Sequence, residues 1–211
     1  TWGPSLKLSD EHTRVRGAPV MLSNDDILVP IYRVYLSSED RETGSQSMAA
    51  LSSDGGETWR DIYVPNASSG KLNEWAVQEV EPGRLIGLHR DEAEATRGLF
   101  WKTESRDWGR TWRAPVPTNV RSGLSASPPH LRHHGDTVVL AYSDARMVSI
   151  SMVTTADPDY VEWDLGRRFA CYRYRADGNR IADASYTCWV ATGPHRLLVV
   201  DYEIESRTSP D

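Results

Sequence analysis

Cysteine is nearly absent from this chain. Two in 211 residues, Cys171 and Cys188, are too few for a disulfide framework. A single bridge across strands of the last repeat and two ordinary buried thiols both remain open. No Cys/His cluster has the spacing of a zinc site. His133 and His134 adjoin Gly135 and read as a solvent-facing turn, so neither a metal nor a cofactor is expected. No apolar stretch reaches membrane-spanning length and no signal peptide is visible, which leaves the compartment open, secretion or the periplasm included. Basic residues are also in the minority. Lys and Arg total 24 against 30 Asp and Glu, a net charge of −6, and no basic run offsets it. That balance argues against a nucleic-acid partner. Against these absences stand eight tryptophans and 39% hydrophobic residues, which suit a folded, aromatic-rich β protein.

Five of the tryptophans fall in copies of a repeated phrase. SSDGGETW (Ser52 to Trp59) and SRDWGRTW (Ser105 to Trp112) both satisfy S-x-D-x-G-x-T-W. Thr1-Trp2-Gly3-Pro4 reads as the tail of another copy, and Thr155 to Trp163 as a degraded one that keeps Asp157 and loses the glycine. Copies recur at roughly 50 residues, an interval that marks a repeat architecture. The phrase suits a turn between strands. Gly56 and Gly109 supply the positive φ of a tight turn. Asp54 and Asp107 bond nearby backbone N–H groups, as Asx residues do. Thr58-Trp59 and Thr111-Trp112 open the next strand with a buried indole whose N–H needs a partner. Ser52 and Ser105 complete the box. Its carboxylates are therefore read as structural.

A second phrase lies between the boxes: Ala18 to Arg33, Glu74 to Arg90, Pro128 to Arg146 and Thr187 to Glu203. Each is an apolar strand, a polar turn and a second strand rich in Leu and Val, which is a hairpin signature. With one strand before each box and one after, every unit supplies four short antiparallel strands. The expected fold is all-β, a β-propeller with about four blades' worth of sequence in a single domain over 1–211. Both ends fall at one phase of the repeat, so the chain reads as four units cut at equivalent points. A four-bladed ring closed by an N-terminal strand is one outcome.

On these boxes the chain resembles the sialidase (neuraminidase) superfamily, in particular its microbial, BNR-repeat branch, along essentially its whole length. The resemblance implies a six-bladed propeller with one or two repeats upstream of Thr1, and an acidic glycan as substrate. Sialidases remove a terminal sugar acid bearing a carboxylate, a group that guanidinium forks bind in bidentate fashion. Of the family's three arginines, Arg90 matches the second, ending the hairpin that starts at Glu74. Arg146 matches the third. The first, and the aspartate that serves as general acid, are expected upstream.

The family's nucleophile is a tyrosine, which avoids bringing a second carboxylate to an anomeric centre that already bears one. A glutamate takes the phenolic proton. The phrase DASYTCWV makes Tyr186 the match, with Asp183 upstream, although Ser185 and Thr187 stand where glycine and proline are common. Glu74 is then the base, and Glu203 the carboxylate that braces the first arginine. Arg33 ends the first hairpin in the equivalent register without a fixed role. Three functions follow: an exo-acting, retaining hydrolase of an acidic sugar; a non-catalytic propeller that binds glycans or proteins; and a propeller glycosidase or lyase of other specificity. A chain without the first arginine and the acid is expected to be catalytically poor alone.

Overall fold

The computed structural model describes residues 7–9, 12–37, 42–67, 71–123, 127–144, 149–173, 180–184 and 186–206, with side chains except at 42–43, 144, 173, 180–184 and 203–206. The opening Thr1-Trp2-Gly3-Pro4 phrase and Arg146 lie outside the described residues.

The first sheet holds β1 (Thr13–Val15), β2 (Val20–Met21), β3 (Ile27–Leu36), β4 (Glu42–Ser52) and β5 (Arg60–Tyr63). Both β1 and β2 pair with β3. Val15 stands opposite Ile31 and Val20 opposite Leu28, so residues 16–19 break one inner strand into two. The second sheet runs β6 (Leu72–Glu81), β7 (Arg84–Asp91), β8 (Leu99–Ser105) and β9 (Val116–Arg121) in order. The third runs β10 (His130–His134), β11 (Thr137–Asp144), β12 (Ser149–Thr154) and β13 (Phe169–Arg173). Every described pairing is antiparallel, as in consecutive propeller blades.

The last unit departs from the expected four-stranded blade. Its strands are β14 (Arg180–Ala184), β15 (Cys188–Gly193), β16 (Arg196–Val200) and β17 (Glu203–Ser206). Only β15 and β16 form the expected hairpin, because β17 directs its backbone hydrogen bonds to β14. Cys171 and Cys188 are unbridged; Cys171 is half-buried and Cys188 is exposed rather than buried.

Successive sheets pack face to face. Leu28 and Leu51 of the first meet Trp75, Val77 and Leu85 of the second. Leu88 and Phe100 of the second meet Leu131, Leu140 and Tyr142 of the third. Val139 and Met152 of the third meet Trp189 of the last hairpin. The Trp75 indole N–H donates to two carbonyls of the first sheet, Ile31 O at 2.8 Å and Met48 O at 3.0 Å, and so joins two blades through a buried side chain.

The boxes close on themselves. Ser52 Oγ donates to Asp54 Oδ1 (2.7 Å) and accepts from Gly56 N (2.8 Å), and Thr58 N donates to Asp54 (3.0 Å). The second box repeats the scheme: Ser105 Oγ to Asp107 Oδ1 at 2.8 Å, Gly109 N to Ser105 Oγ at 2.9 Å, Thr111 N to Asp107 Oδ1 at 2.9 Å. In each copy the indole N–H returns to the carbonyl three residues earlier, Trp59 to Gly56, Trp112 to Gly109 and Trp163 to Tyr160. Where the third copy lacks glycine, Tyr160 itself takes φ 57°. Trp112 and Trp163 are buried and Trp59 half-buried. Arg110 of the second box donates to Asp26 in the β2–β3 turn at 2.8 Å, and Trp108 N to Gly83 O in the β6–β7 turn at 3.1 Å. Boxes and inner-hairpin turns therefore share one rim. Antiparallel alternation puts the starts of the inner strands, and the end of β7, on the other.

Candidate functional site

That other rim gathers Glu74, Arg90 and Tyr186. Trp75 pairs with His89, but Leu72 pairs with Asp91, so β6 carries an extra residue between Leu72 and Trp75. Such a bulge re-aims side chains. Asn73 fixes it: its Oδ1 accepts from Glu74 N at 2.7 Å, its backbone carbonyl accepts from Ser47 Oγ at 3.0 Å, and its Nδ2 donates to Glu92 Oε2 at 2.8 Å. Glu74 is buried and receives Arg90 Nη1, while Arg90 Nη2 donates to Glu92. Burial opposes the charge on Arg90, but Glu74, then Glu92, then Tyr186 hold its pKa above the usual arginine value.

Tyr186 precedes β15 and is half-buried. The neighbouring Thr187 is buried, with its hydroxyl donating to Asp201 at 3.2 Å. The phenol lies against both Glu74 and Arg90. Burial first, and the Glu74 carboxylate second, push its pKa up; the Arg90 charge opposes them. The Tyr202 ring lies 5.8 Å away at 33°. Chemically this is a protonated phenol beside a carboxylate that can take its proton, with a guanidinium that stabilises the resulting phenolate.

Two contributors were not read from the sequence. Glu92 had a signal, the Arg-x-Glu spacing that puts two side chains on one face of a strand. Arg16 had none, because it falls in the break between β1 and β2. Its guanidinium lies over the Tyr186 ring, 4.6 Å from the centroid. Gly17 follows it because a Cβ there would stand 2.5 Å from Trp75 O and 2.7 Å from Pro30. Of the remaining expected residues, Glu203 pairs through its backbone with Ala184, with its side chain outside the described set, as is that of Asp183. Arg33 is half-buried on β3 with its guanidinium over Tyr35. His133 is exposed, its Nε2 3.0 Å from Glu79 O. Among the described residues no group of three His, Cys, Asp or Glu side chains is arranged to hold a metal ion, and no helix is long and apolar enough to cross a membrane.

Comparison with known proteins bears on the fold. Residues 1–147 match the model of the BNR repeat-like domain. No curated protein sequence matches the chain. Among solved structures, a Dyadobacter fermentans protein of unknown function aligns with TM-score 0.69 at 21% identity, over 92% of this chain and 50% of its own. A Hadza microbial sialidase aligns with TM-score 0.64 at 20% identity, over 88% of this chain and 34% of its own. The NanB sialidase of Streptococcus pneumoniae aligns with TM-score 0.63 at 16% identity, over 92% and 28%. The chain thus spans half of the first of these proteins and about a third or less of the two sialidases. With the box geometry and the stacked antiparallel sheets, these matches establish that the chain belongs to the BNR repeat-like domain family and is built as blades of a sialidase-type β-propeller.

Proposed function

We propose that this chain supplies the nucleophile and its base to an exo-acting, retaining glycoside hydrolase that removes sialic acid or a similar acidic sugar. One observation carries the reading: the two ends of the β6–β7 hairpin and the segment before β15, distant in sequence, bring Glu74, Arg90 and Tyr186 together on the rim opposite the boxes. In the reaction Tyr186 Oη bonds to the anomeric carbon as the glycosidic C–O bond breaks, and the phenolic proton passes to Glu74. The departing oxygen takes a proton from a general acid. Water then displaces the tyrosine, losing its proton to the conjugate base of that acid while Glu74 returns the phenolic proton to Tyr186 Oη, and configuration is retained. A phenol whose pKa is raised is a poor nucleophile by itself, so the proton transfer to Glu74 is what makes attack feasible. Glu74 has two oxygens, and Arg90 engages Oε2, which leaves Oε1 for this task.

The test is turnover of a fluorogenic aryl sialoside by the protein carrying this chain. Tyr186→Phe is expected to lower turnover by at least ~10²-fold while an acidic sugar analogue still binds, and Arg90→Ala to weaken that binding. Full turnover by Tyr186→Phe contradicts the reading. One observation favours a glycan-binding propeller instead: Glu74 and Glu92 already engage both terminal nitrogens of Arg90. Saturable binding of the acidic sugar with no turnover in the protein carrying this chain selects that alternative.

A further inference from the structure

The inner strands β2, β6 and β10 line a partly open cavity of about 210 Å³, bordered by Ala18, Val20, Ala76, Gln78, His130 and Arg132 among others. It is smaller than the ~300–1,000 Å³ typical of sites for drug-sized ligands, and suits one small group. No acidic side chain among the described residues lines it. Several polar atoms in and beside its wall are unmatched. His130 Nδ1 and Arg132 Nε are buried without a hydrogen-bond partner, and so are Arg16 Nε and Nη2 and the indole nitrogen of Trp189. His130 is 6% exposed and Trp189 2%. Their rings stand edge to face with centroids 6.3 Å apart. Arg16 lies two residues before the lining residue Ala18, and its charge, like that of Arg132, is felt at His130.

A buried polar atom without a partner typically costs about 1–3 kcal/mol, more when it is charged, so native proteins seldom keep several together. Two guanidinium groups, an imidazole and an indole, with no acidic residue among the described lining of the cavity, form a donor-rich, electropositive cluster. Water satisfies donors and leaves the charge uncompensated; an oxyanion does both. Arg90 is a different case, being already paired with two carboxylates.

We propose that Arg16, His130 and Arg132 form an oxyanion site at the cavity between β2, β6 and β10, separate from the Glu74–Arg90 pair and joined to Tyr186 through Arg16. Its ligand is a carboxylate, sulfate or phosphate group, carried either by a free ion or by a sugar.

Isothermal titration of the 211-residue chain with inorganic phosphate and with glucuronate, each against sodium chloride at matched ionic strength, tests this. Saturable one-site binding is expected, weakened at least tenfold by Arg132→Gln and by Arg16→Gln and retained by Tyr186→Phe. Near-ultraviolet circular dichroism of the tryptophans establishes that each variant is folded. If one substitution unfolds the chain, the other decides. Binding of phosphate and glucuronate alike identifies a free-ion site; binding of glucuronate alone identifies a sugar-borne group. Absence of saturable binding by either, or binding unchanged in both folded arginine variants, overturns the proposal. Because Tyr186→Phe removes hydrolysis and leaves this site whole, failure of the hydrolase reading and failure of the anion site give different results.

Discussion

Single residues decide how each box closes, and glycine matters in two distinct ways. Gly56 and Gly109 both have positive φ, 95° and 80°. A Cβ at Gly56 meets nothing nearer than 3.5 Å, whereas at Gly109 it would stand 2.5 Å from Leu28 Cδ1 in the core between blades. Gly56→Ala should therefore cost only the left-handed backbone penalty, about 1–2 kcal/mol. Gly109→Ala adds overpacking of about 1–3 kcal/mol. Urea unfolding of the two variants checks the order, and equal losses contradict it. Asp54 is held at a pKa of about 2 by Thr58 and Ser52, and its hydrogen bonds are local to the turn. The folded value is depressed below the ordinary value near 3.9, so its contribution is complete above pH 4 and fades as pH falls toward 2. Asp54→Asn should shrink the difference in stability between pH 5 and pH 2.5. An unchanged difference argues against this role. These boxes were legible in the sequence because every partner lies within a few residues. The substitute for glycine in the third copy, Tyr160, was not, since its φ of 57° is imposed by packing rather than preferred by tyrosine.

At the scale of strands, the hairpin phrases gave Glu74 and Arg90 because register alone places the start of β6 beside the end of β7. Arg16 escaped notice for the opposite reason. Two residues more than the partner strand needs are inserted between β1 and β2, so no periodicity points to it, and its meeting with Tyr186 joins the first sheet to the last. The pairing of β14 with β17 was equally hidden, because non-local strand choice leaves no mark on alternation. Gly17 is what makes the break possible, since a side chain there would press on the Trp75 carbonyl, which sheet hydrogen bonding and packing hold in place. Gly17→Ala is expected to destabilise the chain by about 2 kcal/mol or more. It should also disturb the near-ultraviolet signal of the tryptophans. A variant as stable as the parent, with an unchanged spectrum, refutes that account of the break.

Across the whole molecule, two buried histidines make the fold sensitive to mild acid. Burial pushes His89, stacked on Trp75, down to about 3. Burial, then Arg132 and Arg16, push His130 to about 4. Both titrate near 6.5 when unfolded, so the unfolded chain binds more protons between these values. Stability is full above pH 6.5 and declines as pH falls toward 4, before most carboxylates titrate. Thermal unfolding midpoints at pH 7 and pH 4.5 should differ accordingly, the lower pH giving the lower midpoint. Equal midpoints show that neither imidazole is held neutral by the fold.

The sheets converge their inner-strand starts on one rim, and the claim that this rim carries a tyrosine nucleophile has a direct test. A sialosyl fluoride with a second fluorine beside the anomeric carbon needs no general acid, because fluoride leaves unaided, and the second fluorine slows hydrolysis of the tyrosyl intermediate. Incubation with this reagent followed by intact mass and peptide analysis reads the outcome. One covalent sugar on Tyr186, absent in Tyr186→Phe and strongly slowed in Glu74→Gln, is the expected result. No adduct, or an adduct on another residue that persists in Tyr186→Phe, contradicts it.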